Sequence, residues 1–315
     1  MARVAIVVVT YNSAAEIGGC LDALKAVPDV EILVVDNASA DATCDEVKRR
    51  GVRLIANETN RGFAGAVNQG VGASSAPLVL LLNPDAHLER GLEALAGQFS
   101  DPETGASGGL LTGPDGQPQV GFMARNLPTP AALILEVLGI NRLWPRNPVN
   151  WHYRCLGNSS TTPFPAEQPA GAFLMFSRAA FENVGGFDER FWPVWFEDVD
   201  FCAKLKLAGY RVFYNPGARA KHTGGHSVGA LPVEIRELYW YGSLLEYGAK
   251  HYRPLTFRVL CVAVFSGAVG RAVQAFPRAG RASGGAKAFA VYGAVVRLAA
   301  GRMFRPRQGN CTTVF

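Results

Sequence analysis

The first third of the chain alternates between short apolar runs and segments whose apolar residues recur at helical spacing. The apolar runs predict four buried β-strands, in the segments RVAIVVVTYN, EILVVDNAS, VRLIANE and APLVLLLNPDA. The helical spacing predicts helices at 14–25, 42–50 and 64–71. Continuous apolar strands separated by helices are typical of α/β proteins, in which a mostly parallel sheet is covered by helices on both faces.

Three of these predicted strands end in polar residues. The polar ends are Thr10-Tyr11-Asn12, Asp36-Asn37 and Asn83-Pro84-Asp85. In open α/β sheets, ligands bind outside the carboxyl ends of the strands. We therefore expect the three ends to meet in one crevice.

The second part of the chain is less regular. Residues 107–169 are rich in Gly, Pro and Asn, and we expect long loops there with short strands and a helix near 131–138. Regular patterns return with a strand and a helix in AGAFLMFSRAAFENVGGFDE. They continue with a helix and a strand in DVDFCAKLKLAGYRVFYNP.

Charge is divided unevenly along the chain. Ten of the 31 Lys and Arg residues, and none of the 26 Asp and Glu residues, lie in 251–315, which leaves a net charge of −5 on residues 1–250. A basic segment can bind nucleic acid or anionic lipid. The apolar stretches at 259–270 and 288–296 are each shorter than the roughly 20 residues that a spanning helix needs. We predict a catalytic domain at 1–250 and a basic amphipathic helical tail at 251–315 that lies on a membrane; the alternative is a helical pair packed on the domain.

Several polar residues suit the binding of a nucleotide and a metal ion, although each also has an ordinary structural explanation. Asp85 can hold a divalent cation, or serve as a cap or turn residue. Asp36 can accept hydrogen bonds from a base or ribose, or form an Asx turn. The segment NRGFAGAVNQG can bind phosphate at a helix N-terminus, or be an ordinary turn. No G-x-G-x-x-G follows the first strand, which argues against a dehydrogenase.

An acid-rich segment follows two tryptophans in WPVWFEDVDFCAKLKLAGYR. Glu197, Asp198 and Asp200 lie at the start of a predicted helix, where the macrodipole alone could explain them. The aromatic residues beside them would desolvate a carboxylate, which raises its pKa and makes it a better base. His222 in KHTGGHS can complete a metal site or be purely structural.

Taken in order, these segments resemble the successive blocks of glycosyltransferase family 2, and the rhamnosyltransferase-like subgroup in particular. The matching blocks are VVVTYNS, VVDNASAD, NRGFAGAVNQG, LLLNPDA, GAFLMFSRAAFENVGGFDERFW, FEDVDFCAKLKLAGYRV and KHTGGHS, spread over roughly residues 3–230. The resemblance implies a GT-A fold, the Rossmann-like architecture of nucleotide-diphospho-sugar transferases, and an inverting reaction. The family's D-x-D metal motif reads Asn83-Pro84-Asp85 here, so that one carboxylate is missing.

The resemblance also assigns roles to individual residues. It makes Asp198 the catalytic base with Glu197 beside it, and Asp85 and His222 the ligands of Mg²⁺ or Mn²⁺. Trp192 and Trp195 are candidates for the acceptor surface. The implied donor-site residues are Thr10, Tyr11, Asn12, Asp36, Asn60, Arg61, Gly62, Asn68, Asn83 and Asp85.

We therefore expect an enzyme that moves a sugar from a nucleotide diphosphate to a hydroxyl of a glycan or lipid-linked glycan. The subgroup favours dTDP-L-rhamnose as donor, with UDP-hexoses as the alternative. A nucleotidyltransferase would need a glycine-rich basic loop after the first strand, where this chain has Thr-Tyr-Asn-Ser-Ala-Ala. A non-catalytic sugar-nucleotide binder is the remaining alternative. The six cysteines form no C-x-x-C pair, and we expect a cytoplasmic protein on the inner face of the cell membrane that binds no nucleic acid.

Overall fold

A computed structural model describes residues 3–224, 231–279 and 283–304. It contains eleven strands and twelve α-helices within those residues. The strands are β1 (Val4–Thr10), β2 (Val30–Asp36), β3 (Arg53–Ala56), β4 (Leu78–Leu82), β5 (Ala86–Arg90), β6 (Thr104–Thr112), β7 (Ala124–Arg125), β8 (Phe164–Pro165), β9 (Gln168–Pro169), β10 (Phe173–Ser177) and β11 (Arg211–His222). The helices are α1 (Ile17–Leu24), α2 (Thr43–Arg49), α3 (Gly62–Gly72), α4 (Leu92–Ala96), α5 (Pro130–Val137), α6 (Ile140–Leu143), α7 (Pro148–Tyr153), α8 (Arg178–Asn183), α9 (Glu197–Leu207), α10 (Val233–His251), α11 (Pro254–Ala279) and α12 (Ser283–Phe304).

One large sheet dominates the described chain, with the strand order β3-β2-β1-β4-β10-β6-β11-β5 and β8 paired to β11. Strands β3, β2, β1 and β4 are parallel, as the continuous apolar runs predict. Two apolar clusters are formed by alternate residues of these strands: Ile6 and Val8 belong to one, and Val7 and Val9 to the other. Helices α1 and α3 contribute to different clusters, so the predicted α/β sheet is covered on both faces.

The second half of the sheet mixes strand directions. Strand β10 runs antiparallel to both β4 and β6, whereas β11 runs parallel to β6 and antiparallel to β5. Two reversals therefore bring β6 and β11 back to the direction of β4. The carboxyl ends of β4 and β11 consequently lie at the same edge of the sheet.

Strand β6 corrects the expectation that irregular structure begins at residue 107, because the strand continues to Thr112. Its glycines, which suggest a loop in the sequence, are required by close packing. A Cβ on Gly108 would lie 2.3 Å from Cβ of Pro169, and one on Gly109 would lie 2.2 Å from Cε1 of Phe173. Only glycine fits a strand at such distances.

By their internal contacts, the residues divide into two compact units. The first comprises Met1–Leu127, Arg154–Pro193 and Glu197–Ala230, and the second comprises Pro128–Tyr153, Val194–Phe196 and Leu231–Phe315. The sequence analysis expects a boundary at residue 250, one residue before the end of α10. By contacts, α10 instead groups with α11, α12 and the segment 128–153 in the second unit.

Helix α11 also differs from its sequence prediction. The apolar stretch at 259–270 is expected to be too short to cross a membrane, but it belongs to one continuous helix. Residues Pro254–Gln274 of that helix, 21 residues in all, are long and apolar enough to span a bilayer. This criterion concerns length and composition only, and core helices of soluble proteins also meet it.

Candidate active site

The predicted site residues of the first unit collect at one edge of its sheet. Thr10 and Asp36 end the parallel neighbours β1 and β2, and Asn83 follows β4 on the other side of β1. The N-terminal end of β10 lies at this edge because β10 is antiparallel to β4, and the backbone N–H of Asn83 donates to Ala172 O over 3.0 Å. His222 ends β11, which has the direction of β4. Strand direction therefore places these positions along one edge of the sheet.

Asp36 is the centre of a buried hydrogen-bond network. Its Oδ1 accepts from the hydroxyls of Thr10, over 2.8 Å, and of Ser39, over 2.6 Å. Its Oδ2 accepts from the backbone N–H of Ser39 over 2.8 Å. The same Ser39 hydroxyl accepts from the backbone N–H of Asn12, which has a φ of +50°. The network fixes the ends of β1 and β2 relative to each other, and Tyr11 lies half-buried between Thr10 and Asn12.

The start of α3 is built as a tight turn. Asn60 Oδ1 accepts from the backbone N–H of Gly62 over 2.8 Å, and Gly62 has a φ of +76°. A Cβ at Gly62 would lie 2.7 Å from Cδ1 of Trp192, and the backbone N–H of Phe63 donates to Pro193 O. The predicted donor loop and the first acceptor tryptophan are therefore in contact.

Two other residues of this predicted donor block differ in their surroundings. The side-chain amide of Asn68 makes two hydrogen bonds to the backbone of Phe187. Its Nδ2 donates to the Phe187 carbonyl and its Oδ1 accepts from the Phe187 N–H, each over 2.9 Å. These bonds tie α3 to the segment before Trp192, which is a structural role. Arg61 is exposed at the N-terminus of α3, where its charge can meet an anion.

Asp85 and His222 form a buried pair. His222 Nε2 lies 3.5 Å from Asp85 Oδ1, and the two residues are 4% and 5% exposed. Nε2 is buried and makes no hydrogen bond. An imidazole nitrogen and a carboxylate oxygen at this separation fit a divalent cation held between them. Among the described residues no cluster of three or more His, Cys, Asp or Glu side chains forms a complete metal site.

Gln119, which the sequence analysis does not identify, holds His222 from two sides. Its Nε2 donates to the His222 carbonyl over 2.9 Å, and its Oε1 lies 3.0 Å from His222 Nδ1. Since that oxygen can only accept, Nδ1 donates to it, and Nε2 is the ring nitrogen that faces Asp85. Phe122 stacks on the imidazole, with centroids 5.4 Å apart and planes 4° from parallel. No sequence motif marks these two residues.

Asp198 is oriented by three donors. Its Oδ2 accepts from the backbone N–H of Gly171 over 2.9 Å and from Gln168 Nε2 over 3.0 Å, and its Oδ1 accepts from the Val199 N–H over 2.8 Å. Burial raises the pKa of its carboxyl, while the N–H donors of Gly171 and Val199 and the positive charge of Arg125 oppose that rise. A partly exposed, oriented carboxylate with a raised pKa has the properties of a general base.

Glu197 has different surroundings from its neighbour. It is 4% exposed, and its Oε2 is buried without a hydrogen-bond partner. Burial raises the pKa of its carboxyl well above the usual value, and the charge of Asp198 adds to the rise. These surroundings disfavour the charged form of the Glu197 carboxyl.

Two parts of the predicted site do not lie among the described residues of the first unit. Trp195 belongs to the second unit, where it precedes Phe196; both have left-handed backbone conformations, with φ of +79° and +67°. Only Trp192 of the two acceptor candidates therefore lies in the unit that carries Asp198. Residues 225–227 of the KHTGGHS block lie outside the described residues.

Comparison with known proteins defines the class. The family described as Glycosyl transferase family 2 matches residues 5–185, and the one described as N-terminal domain of galactosyltransferase matches 152–226. The first match covers more than half of the chain, which therefore belongs to glycosyltransferase family 2 and is a glycosyltransferase. This confirms the resemblance seen in the sequence.

Individual relatives agree with this assignment. The N-acetylglucosaminyl-diphospho-decaprenol L-rhamnosyltransferase of Mycobacterium tuberculosis is 33% identical over 249 residues, which cover 72% of this chain and 78% of the relative. A mannosyltransferase from Pyrobaculum calidifontis, solved with GDP-Man and Mn²⁺, has a TM-score of 0.54 at 18% identity and covers 97% of this chain and 88% of its own. TarS residues 1–349 from S. aureus has a TM-score of 0.51 at 16% identity, over 96% of this chain and 93% of its own. The chain has the GT-A fold.

Proposed function

We propose that this enzyme transfers L-rhamnose from dTDP-L-rhamnose to a hydroxyl of a lipid-linked glycan, with inversion at the anomeric carbon. The observation that carries the proposal is the shared sheet edge, along which Asp198, the Asp85–His222 pair and the Asp36 network lie. The donor and the acceptor class are supported by the rhamnosyltransferase of Mycobacterium tuberculosis, whose name describes a decaprenol-linked acceptor.

The reaction forms one bond and breaks another at the same carbon. The acceptor oxygen attacks the anomeric carbon, the bond from that carbon to the diphosphate oxygen breaks, and the diphosphate leaves with its electron pair. The hydroxyl proton passes to Asp198, whose carboxylate is held in place by Gly171 and Gln168. Attack opposite the leaving group inverts the configuration, and holding both partners in line lowers the barrier.

The residues of the site fit a divalent cation, Mg²⁺ or Mn²⁺. Asp85 and His222 would hold it, since the otherwise unsatisfied Nε2 of His222 faces the Asp85 carboxylate. When bound, such a cation neutralises charge on the leaving diphosphate. The Mn²⁺ in the Pyrobaculum calidifontis structure supports this part of the proposal.

In this proposal the enzyme binds the inner face of the cell membrane, and the surface of helix α11 supports this part of the proposal. One face of α11 carries exposed apolar side chains at helical spacing. On the other face, Leu260, Val264 and Ala268 are buried. The exposed residues are Leu255, Val259, Val262, Phe265, Val269 and Val273, which we name the α11 stripe. Residues 251–315 contain no acidic residue, so anionic headgroups would meet only positive side-chain charge in this segment.

A donor screen tests the function. The full-length protein is incubated with Mn²⁺, a polyprenyl-diphosphate-linked N-acetylglucosamine acceptor and either dTDP-L-rhamnose, a UDP-hexose or GDP-mannose. Product is measured by mass spectrometry, and its anomeric configuration by NMR. We expect transfer from dTDP-L-rhamnose with inversion, and transfer about 10²–10⁴-fold slower in the Asp198→Asn variant.

The other outcomes identify the alternatives. Transfer from a UDP-hexose alone would replace the rhamnosyl donor and leave the catalytic assignment intact. Donor binding without transfer to a panel of polyprenyl-linked acceptors would indicate a sugar-nucleotide binder. A product with retained configuration would contradict direct displacement.

A further inference from the structure

A second apolar surface of the second unit lies far along the chain from the α11 stripe. The short helix α6 and the loop after it, residues 138–146, form what we name the α6 tip. Leu143 is 88% exposed and Trp144 is 59% exposed, the highest values among the large apolar side chains that the structure describes in residues 128–153. Single exposed apolar residues are common, but an adjacent Leu-Trp pair of this exposure is typical of a surface that meets a partner.

The α6 tip is held in shape by buried amides. Asn147 and Asn150 are 2% and 4% exposed, and their Nδ2 atoms donate to the carbonyls of Trp144 over 2.8 Å and Pro145 over 2.6 Å. The Trp144 N–H in turn donates to Ile140 O over 2.8 Å. The backbone behind the two apolar side chains is therefore satisfied from inside the protein. A loop that enters a bilayer interface needs that arrangement, because unsatisfied peptide groups are costly there.

The charge around the tip has one sign. Arg142 and Arg146 flank the Leu143-Trp144 pair and are both exposed, and residues 137–166 contain no Asp or Glu. Tryptophan is enriched at membrane interfaces, and nearby arginines are attracted to anionic headgroups. An apolar pair between two exposed arginines therefore has the chemistry of a lipid-facing wedge.

We propose that the α6 tip inserts Leu143 and Trp144 into the interface of a bilayer that carries anionic lipid, with Arg142 and Arg146 at the headgroups. The proposal rests on the proposed function in one respect: a lipid-linked acceptor gives the enzyme a reason to bind a bilayer. None of the residues of the tip is assigned a role in sugar transfer.

Vesicle binding of the full-length protein tests it. Sedimentation is measured with phosphatidylcholine vesicles and with vesicles that also contain phosphatidylglycerol. We expect Leu143→Asp to lower the partition coefficient on the mixed vesicles about tenfold, since one buried leucine side chain contributes at least that factor. Arg142→Glu with Arg146→Glu should lower binding to mixed vesicles and leave binding to phosphatidylcholine almost unchanged. Leu207→Asp is the matched control, because Leu207 is 45% exposed at the end of α9 in the first unit.

A conservative variant covers the possibility that Leu143→Asp disturbs folding. Vesicles with brominated acyl chains should quench the fluorescence of the wild-type protein, and Trp144→Phe should remove most of that quenching. Unchanged quenching in Trp144→Phe, equal partitioning of Leu143→Asp and Leu207→Asp, or no binding of the wild-type protein to mixed vesicles would each overturn the proposal. If this surface instead binds a protein partner, Leu143→Asp and Leu207→Asp should partition equally onto vesicles.

Transfer assays with the polyprenyl-linked acceptor dispersed in detergent, without vesicles, separate this proposal from the proposed function. If the tip behaves as expected while no sugar is transferred by the wild-type protein, only the proposed function fails. If Leu143→Asp transfers sugar normally and binds vesicles as the wild type does, only the membrane wedge fails.

Discussion

Nε2 of His222 lies 3.5 Å from Oδ1 of Asp85, although the two residues are 137 positions apart in the chain. The sheet brings them together, because β11 pairs with β5 so that His222 lies opposite Ala86, the residue after Asp85. One carboxylate and one imidazole would leave a bound divalent cation open to further oxygen ligands. We infer that diphosphate oxygens of the donor supply some of these ligands, so that metal and donor bind together.

The first prediction concerns the orientation of His222. Gln119→Leu removes the hydrogen bond to Nδ1 that orients the imidazole and the one to the His222 carbonyl. Partners of metal-bound histidines typically contribute about 10–100-fold to metal affinity. We expect Mn²⁺ affinity in the presence of dTDP to fall within that range, measured by the electron paramagnetic resonance of free Mn²⁺. Gln117→Leu, on the exposed part of the same loop, is the control. Equal affinities in the two variants would show that Gln119 has no influence on the ion.

The second prediction distinguishes the residue that takes the acceptor proton from the residue that binds the metal and the donor. Asp198→Asn keeps the shape of the side chain but cannot take the acceptor proton, so turnover should fall about 10²–10⁴-fold. Calorimetry should show unchanged donor affinity in this variant. Asp85→Ala should instead weaken the metal-dependent affinity for the nucleotide diphosphate. Near-normal turnover of Asp198→Asn would exclude that residue as the base.

The main components of this site could be predicted because they follow strands. Asp36, Asn83 and Asp85 come directly after apolar runs, and the direction of parallel strands then determines where they meet. Gln119 could not be found in the same way. It lies in a loop without periodicity, and its role depends on the register between distant strands β5 and β11.

Strand β6 shows a second limit of the sequence pattern. The segment TGASGGLLT is poor in the β-branched and aromatic residues that mark strands, and its glycines suggest a turn. Those glycines are explained only by Pro169 and Phe173 on neighbouring elements, whose side chains occupy the space that a Cβ would need. Tertiary packing, which the local sequence does not contain, determines the strand.

The third prediction concerns stability and pH. Burial and the neighbouring Asp198 charge raise the pKa of Glu197 in the folded protein well above its usual value of 4.5. Between the two values the folded state holds a proton that the unfolded chain has released, so this group lowers stability as pH rises through that window. Glu197→Gln should therefore raise the melting temperature at pH 8 more than at pH 4. The measurement is thermal unfolding at both pH values, and an equal shift at both would contradict the raised pKa.

The fourth prediction tests the turn before α3. Gly62→Ala places a Cβ at a φ of +76° and 2.7 Å from Trp192, whereas a Cβ at Gly72, the last residue of α3, would have no atom within 4 Å. The left-handed conformation alone costs an alanine about 1–2 kcal/mol. Gly72→Ala should be neutral or slightly stabilising, because alanine has the higher helix propensity. Urea unfolding of both variants measures the difference, and similar stabilities would mean that the turn is not strained by a side chain.

The last prediction concerns the α11 stripe. Deleting the chain after Arg253 is an ambiguous test, since it also removes Leu260 and Val264, which are fully buried. Val262→Glu with Val269→Glu changes only exposed positions, and we expect it to reduce sedimentation with anionic vesicles at least tenfold through lost apolar contact and added negative charge. Gln274→Glu adds one negative charge at an exposed polar position of the same helix and serves as the control. If the double variant sediments like this control, the stripe is not in contact with lipid.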